Sequence, residues 1–131
     1  MAPLVEILVV DDSKVMREMI IECLRPQPGL VFTHASSGLE ALEQLALRVF
    51  SLMVLDLSMP DIDGFEVIAF ARGQDKHRSL PIIVATTRGD DSSMGRALGA
   101  GATRFMTKPF AQAAILSDVR ALLGDAIAAP R

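Results

Sequence analysis

The sequence predicts an α/β domain in which a five-stranded parallel sheet is covered by helices on both faces. Short apolar runs alternate five times with segments of helical periodicity, and this alternation is typical of parallel strands joined by right-handed crossovers. The first and third runs, VEILVV and LMVL, are almost wholly apolar, as expected for strands buried on both faces. Because 131 residues is the length of one domain, we expect a single domain over 1–131, with a core over about residues 4–123 and no second domain.

The first two strand–helix units are punctuated by capping and breaking residues. The first strand is predicted over Val5–Val10, and Ser13 offers a side-chain cap for the next helix. In that helix an i, i+3, i+4, i+7 pattern predicts a buried stripe of Met16, Met19, Ile20 and Cys23. The helix is expected to end at Pro26, Pro28 and Gly29. The second strand is predicted over Leu30–Ala35, and the second helix opens at Ser37 and Gly38 with these side chains inward: Leu39, Leu42 and Leu45 or Ala46.

The second half of the chain repeats the alternation three more times. Turn formers fill the segment SMPDIDG after the third strand, and glycines at 99 and 101 are expected to end the fourth helix. The predicted elements, alternately strand and helix, are Leu52–Leu55, Phe65–Ala71, Ile82–Ala85, Ser92–Leu98, Arg104–Thr107 and Ala113–Leu123.

Composition excludes several classes of protein. A net charge of −3 argues against a nucleic-acid partner, and 50% hydrophobic residues argue against disorder. No apolar run approaches the ~20 residues that cross a bilayer, and no signal peptide is recognisable, so we expect a cytoplasmic protein with no membrane partner. The one cysteine, Cys23, is interpreted as a buried inert thiol. His34 and His77 are interpreted as isolated surface residues, which leaves no zinc site.

Charged residues follow three of the predicted strands. Asp11 and Asp12 follow the first strand, Asp56 the third and Lys108 the fifth. Because the carboxyl ends of parallel strands share one edge of a sheet, we expect these side chains to meet in one site. Two carboxylates ~4 Å apart repel by about 4 kcal/mol at an effective dielectric near 20, so a hard divalent cation, Mg²⁺, is the expected cofactor.

The same residues suit phosphoryl transfer. Asp56 can act as a nucleophile and form an acyl phosphate. Lys108 can pair with Asp56 at rest and with a phosphoryl oxygen later, and Thr86 or Thr87 supplies a hydroxyl at the end of the fourth strand. The metal and the lysine would stabilise the transferring group, where most phosphoryl-transfer catalysis lies.

Four motifs resemble the receiver domain of bacterial two-component response regulators of the CheY type. They are VVDDS, VLDLSMPDIDG, PIIVATT and GATRFMTKPF, and the resemblance extends from Val5 to Leu123. It implies a flavodoxin-like doubly wound (βα)5 fold with strand order 2-1-3-4-5. It also implies that Asp56 is the phosphoacceptor and that Mg²⁺ is held by Asp11, Asp12, Asp56 and the main-chain carbonyl of Ser58.

The resemblance also implies a switch. Thr86 matches the switch hydroxyl, with Thr87 as the competing register, and Phe105 matches a switch aromatic that is exposed at rest and rotates inward. The bond between Lys108 and Pro109 is expected to be cis. Two residues depart from the common pattern: Phe105 stands where Tyr is frequent, and Arg88 stands where a smaller or acidic residue is frequent. Together with Ser58, Arg88 is expected to flank the hydrolytic water and alter the lifetime of the acyl phosphate.

The expected role is signalling rather than enzymatic turnover. The implied phosphoryl donor is a histidine kinase or phosphotransfer domain, and the face made by the fourth helix, fifth strand and fifth helix would control binding of an effector. With no output domain, we expect either a chemotaxis role at a flagellar motor switch or a phosphate shuttle to a phosphorelay histidine. In the shuttle, the first helix near Val15 would dock the phosphotransfer partner.

Three other interpretations stay open with less support. A phosphatase of the haloacid dehalogenase type needs a general acid where Ser58 stands. A flavodoxin-like FMN binder would place a phosphate against Asp11 and Asp12, which repel it. An interaction module would leave the phosphorylation site unused.

Overall fold

Five parallel strands form one sheet in the computed structural model, which describes residues 4–127. The strands β1 to β5 are Val5–Val10, Leu30–Ala35, Leu52–Leu55, Ile82–Thr86 and Arg104–Thr107. The helices α1 to α5 are Lys14–Leu24, Gly38–Leu47, Gly64–Gly73, Asp91–Ala100 and Gln112–Leu123, with 3-10 turns at Asp75–His77 and Gly124–Ala126. The strand order β2-β1-β3-β4-β5 and the parallel pairing confirm the predicted fold class.

The element bounds follow the local capping chemistry. The Oγ of Ser13 accepts from the Met16 backbone N–H and starts α1, as its sequence position predicted. The fourth helix is longer than predicted, because the Asp90 side chain caps its start and Gly99 does not end it. It ends at Gly101, whose φ of +121° favours glycine.

Two apolar layers lie on opposite faces of the sheet. One layer packs α1 and α5 against β1, β3 and β4 through residues such as Ile20 and Ile115. The other packs α2, α3 and α4 against the opposite face through residues such as Leu45 and Ile68. Since side chains alternate between the faces of a strand, these layers leave only the strand ends free to build a site.

The predicted inward faces of the first two helices are partly wrong. The buried residues of α1 are Arg17, Ile20, Ile21 and Leu24, whereas Met19 is 39% exposed and Cys23 is only half-buried. Burial, and secondarily the charge of Glu22, raises the pKa of the Cys23 thiol. On α2, Leu45 is buried, but Leu39 and Ala46 are exposed because Gly38 and Ala41 occupy the inward side.

His77 is buried, contrary to the prediction of a surface position. Its Nε2 accepts the Phe50 backbone N–H at 3.1 Å, and its Nδ1 lies 2.6 Å from the side-chain oxygen of Gln74. The ring also stacks on Phe50. Burial, with a smaller contribution from the charge of Lys76, lowers the pKa of the imidazole. His34 is exposed, as predicted.

Within the part of the chain that the structure describes, none of the helices has the length and apolar character that a bilayer span requires.

Candidate functional site

Three carboxylates meet where β1 and β3 end. One carboxylate oxygen from each of Asp11, Asp12 and Asp56 lies within 4.8 Å of the others. Asp11 and Asp56 are buried, and Asp12 is exposed. The residues come together because β1 and β3 are adjacent and parallel, so their carboxyl ends fall on the same edge of the sheet.

Lys108, which follows β5, places an ammonium group between two of these carboxylates. Its Nζ lies 2.6 Å from Asp11 Oδ2 and 3.2 Å from Asp56 Oδ2, and its side chain is only 9% exposed. Burial by itself would lower the pKa of Lys108, but the hydrogen bonds and charges of Asp11 and Asp56 outweigh it and raise the pKa. Lys108 therefore stays protonated, and the cluster of three carboxylates retains an excess of negative charge.

The backbone holds the two buried carboxylates in place. Asp11 Oδ1 accepts the Ser13 N–H at 2.9 Å, and Asp56 Oδ1 accepts the Ser58 N–H at 3.3 Å. Gly64 makes room for the turn after β3, since a Cβ there would lie 2.7 Å from the Asp56 carbonyl oxygen and from Leu57 Cα. The loop after Asp56 is thus folded tightly against the start of α3.

The end of β4 contributes a buried hydroxyl. Thr86 is fully buried, and its Oγ1 accepts the Arg88 backbone N–H at 3.2 Å. Its carbonyl accepts the Lys108 backbone N–H at 2.8 Å, which joins the ends of β4 and β5. Thr87 is exposed. Phe105 is half-buried and packs on the apolar layer of α2 to α4. The expectation of an exposed ring is therefore wrong. The ring is covered because β5 lies against α4.

The Arg88 side chain lies near an aromatic ring. Its guanidinium carbon is 5.5 Å from the centroid of the Phe65 ring, and that of Arg96 is 3.9 Å from the same centroid. These are cation–π distances. The pair of arginines connects the loop after β4 and the helix α4 to the first turn of α3. The Lys108–Pro109 peptide bond is cis, in agreement with the expectation.

Two residues near the site escaped the sequence analysis. Arg17 is buried on α1 and donates to the Asp11 carbonyl at 2.6 Å. Its position three residues before Ile20 on one helical face could have indicated it. The carboxylate of Asp61 accepts the Gly38 and Leu39 N–H groups at the start of α2. Backbone hydrogen bonds, first that of Leu39 and then that of Ile62, lower the pKa of Asp61 to about 2. No local sequence pattern could have indicated this contact, because Asp61 is 23 residues from Gly38 and 22 from Leu39.

The three carboxylates have the donor chemistry of a Mg²⁺ site. They offer only oxygen atoms, which hard divalent cations prefer, and their oxygens are close enough to share one ion. Asp12 is open to solvent, which suits an ion that keeps several of its waters. The residues present therefore fit Mg²⁺.

A match to a protein-family model identifies the family of this chain. The model of the response regulator receiver domain matches residues 7–120. The chain belongs to the response regulator receiver domain family. The resemblance of the four sequence motifs is thereby confirmed, and the site lies at the same strand ends as those motifs.

The curated relatives of this receiver domain include response regulators. Response regulator MprA of Mycobacterium tuberculosis is 40% identical over 119 residues, which is 91% of this chain and 50% of that protein. The chain thus spans about half the length of the curated relatives that it matches first.

Solved structures show the same fold. Chemotaxis response regulator CheY4 of Vibrio cholerae superposes with a TM-score of 0.83 at 29% identity, over 92% of this chain and 99% of that one. The receiver domain of sensor histidine kinase PA1611 of Pseudomonas aeruginosa, which has a magnesium ion in its active-site cleft, superposes with a TM-score of 0.83 at 26% identity, over 93% and 99%.

Proposed function

We propose that this receiver domain accepts a phosphoryl group on Asp56 in a Mg²⁺-dependent reaction and controls the binding of a partner protein. The observation that carries the proposal is the position of the Lys108 ammonium, which bonds to Asp56 and Asp11 at the edge where Asp12 is open to solvent. A nucleophilic carboxylate, a fixed cation and an oxygen-only metal site are the parts that phosphoryl transfer requires.

Each residue has a separate task in the proposed reaction. A carboxylate oxygen of Asp56 attacks phosphorus, an O–P bond forms, and the P–N bond to the donor histidine breaks with its electron pair on the imidazole. Lys108 moves its hydrogen bond from the carboxylate to a phosphoryl oxygen, where negative charge is concentrated. Asp11, Asp12, Asp56 and the carbonyl of Ser58 would hold Mg²⁺, which when bound would supply positive charge at the transferring group.

Thr86 couples the modification to the surface. Phosphorylation adds about −1.5 to −2 charge and strong acceptor oxygens. The hydroxyl hydrogen of Thr86 can bond to one of them, because in the resting structure its oxygen acts as an acceptor from Arg88. Movement of Thr86 would let the half-buried Phe105 turn further inward and change the face formed by α4, β5 and α5. That face is where the effector would bind.

The central test is intact-protein mass spectrometry after exposure to acetyl phosphate and Mg²⁺. We expect one added phosphoryl group in the wild type, none in the Asp56→Asn variant and none when Mg²⁺ is chelated. Equal labelling of wild type and Asp56→Asn contradicts the proposal. Steady release of phosphate from monoesters would instead favour the phosphatase interpretation, which lacks an acid because a serine occupies position 58.

For the downstream role we favour chemotaxis, with a flagellar motor switch protein as effector and a histidine kinase or phosphotransfer domain as donor. The support is the match to almost the whole length of CheY4. Pull-down with and without beryllofluoride, a phosphoryl mimic, tests it: stronger capture of a motor protein supports this role. Phosphate passing from Asp56 to another histidine supports a phosphorelay shuttle instead.

Arg88 is proposed to set the lifetime of the acyl phosphate. Its backbone bonds to Thr86 and its guanidinium stacks on Phe65, so the side chain is near the site but engaged elsewhere at rest. If it moves to the phosphoryl group, Arg88→Ala changes the rate constant of dephosphorylation. An unchanged rate constant means that Arg88 acts only on the Phe65 ring.

A further inference from the structure

The arginine at position 17 is an unusual buried group. Its side chain lies on the inward face of α1 and the residue is 8% exposed. Within residues 4–127, no carboxylate forms an ion pair with it. Burying a charge that has no carboxylate at ion-pair distance is costly, so the hydrogen bonds of the guanidinium must offset that cost.

The guanidinium of Arg17 bonds to the acidic site on one side and to an imidazole on the other. Its Nη1 donates to the Asp11 carbonyl oxygen at 2.6 Å. Its Nε donates to His34 Nδ1 at 3.0 Å, which requires an imidazole with no proton on Nδ1. The guanidinium group thus connects the end of β1 to the edge strand β2, and its bond to His34 fixes its orientation.

Asp11 is held at each of its polar atoms. Its N–H donates to the Ala35 carbonyl, its Oδ1 accepts from Ser13 and its Oδ2 accepts from Lys108. Arg17 supplies the remaining contact, at the carbonyl. That carbonyl belongs to the peptide that links Asp11 to Asp12, so its orientation sets where the exposed Asp12 carboxylate can lie.

We propose that Arg17 is a positioning residue for the Asp11–Asp12 pair and that its hydrogen bond to His34 Nδ1 keeps it in place. The proposal rests on the proposed Mg²⁺-dependent function. Partners that orient metal ligands typically affect metal affinity by 10–100-fold. Loss of the Nδ1 acceptor at position 34 would leave the Nε–H of Arg17 without this partner, so it should weaken the metal site through the same contact.

Charged groups of α1 and α2, and of the residue just after α1, surround Arg17 and His34. Glu18, Glu22 and Arg25 line a cavity of about 330 Å³ together with His34. From α2, Glu40 interacts electrostatically with Arg17, and its carboxylate accepts from the Ser36 N–H and hydroxyl. The β1 neighbour of His34 in the sheet is Val9, which carries no charge.

Calorimetric titration with Mg²⁺ tests the positioning role without any phosphorylation assay. Arg17→Lys keeps the charge and loses the fork, and Arg17→Gln loses both. We expect both variants to bind Mg²⁺ about tenfold more weakly than wild type. Arg78→Gln removes the same charge from an exposed site away from this cavity and should bind as wild type does.

A role for the positive charge of Arg17 alone predicts a different pattern of Mg²⁺ affinities. If Arg17 acted only through its charge, Arg17→Lys would match wild type and Arg17→Gln would bind the cation more tightly; either result overturns the proposal. Thermal unfolding in metal-free buffer, followed by circular dichroism, shows which variants fold. His34→Gln changes an exposed side chain and keeps an acceptor for Arg17 at every pH, so it provides a test that does not require a buried substitution.

Two substitutions at position 34 separate positioning from general stability. His34→Gln keeps an acceptor for the Nε–H of Arg17 and His34→Leu removes it, so Mg²⁺ affinity should fall about tenfold in His34→Leu and stay near that of wild type in His34→Gln. Equal Mg²⁺ affinity in the two variants overturns the role of His34. Absence of Mg²⁺ binding in wild type, or equal binding by Asp12→Asn, overturns the proposed function and this inference together. If wild type binds Mg²⁺ and Asp12→Asn does not, but the Arg17 variants bind as tightly as wild type, only the inference is overturned.

Discussion

Replacing Asp12 by asparagine is expected to stabilise the fold in the absence of metal. The Asp12 carboxylate lies within 4.8 Å of those of Asp11 and Asp56. At 4.8 Å one such repulsion is about 0.9 kcal/mol in bulk water and about 3.5 kcal/mol at an effective dielectric of 20. Asp12 is exposed, so the lower figure is the better guide, and the ammonium of Lys108 offsets part of two such repulsions. The expected gain in the free energy of unfolding is therefore about 1 kcal/mol.

Urea unfolding followed by far-UV circular dichroism measures this gain, because the chain has no Trp or Tyr to report by fluorescence. With a slope of about 2 kcal/mol per molar urea, the midpoint of Asp12→Asn rises by about 0.5 M in metal-free buffer. At a Mg²⁺ concentration about ten times its Kd, wild type gains about 1.4 kcal/mol and the variant gains much less, so their difference disappears or reverses.

A charge-matched control is available on α2. Glu43→Gln removes one negative charge from an exposed position, and its free energy of unfolding should stay within about 0.5 kcal/mol of wild type in both buffers. If Asp12→Asn unfolds at the same or a lower urea concentration than wild type without metal, the three carboxylates do not repel in the fold. The electrostatic argument for the site would then be refuted.

Four further substitutions test the packing and charge of the fold. Lys108→Met leaves two buried carboxylates without their cation and should cost about 3–5 kcal/mol by urea unfolding, less when Mg²⁺ is present. Gly64→Ala should destabilise the fold by about 1–3 kcal/mol and slow labelling by acetyl phosphate. Gly95→Ala, whose Cβ would meet no atom within 4 Å, is the control and should stabilise α4 by up to about 1 kcal/mol. Because burial lowers the pKa of His77, unfolding takes up a proton below about pH 6.5; urea midpoints should fall from there toward the folded-state pKa, and fall less in His77→Gln.

Much of the architecture was predictable because it depends on short-range patterns. Four strands have the bounds that their apolar runs predict, and β4 is longer by one residue. The family motifs lie at the strand ends, so the grouping of Asp11, Asp12, Asp56 and Lys108 follows once the strands are parallel.

The errors have a common physical origin. Helical periodicity indicates that one side of α1 is buried, but apolar residues such as Met19 and Cys23 lie beside the buried Ile21 and Leu24, and the buried side also contains Arg17. The apolar pattern alone therefore does not choose the side. The burial of His77 could not be predicted from the sequence, because its hydrogen-bond partners, at Phe50 and Gln74, are brought to it by the fold. Phe105 lies half-buried because α4 packs against β5.

The amino-acid order by itself determined the fold class, the strand ends that carry the carboxylates and the lysine, and the oxygen-only character of the site. Those features depend on which residue follows which along one strand. Only the tertiary structure decided that a buried arginine contacts Asp11, that Asp61 caps a helix 23 residues away, and that Arg88 and Arg96 share one ring. These contacts join different elements, and their distances depend on how the helices pack on the sheet.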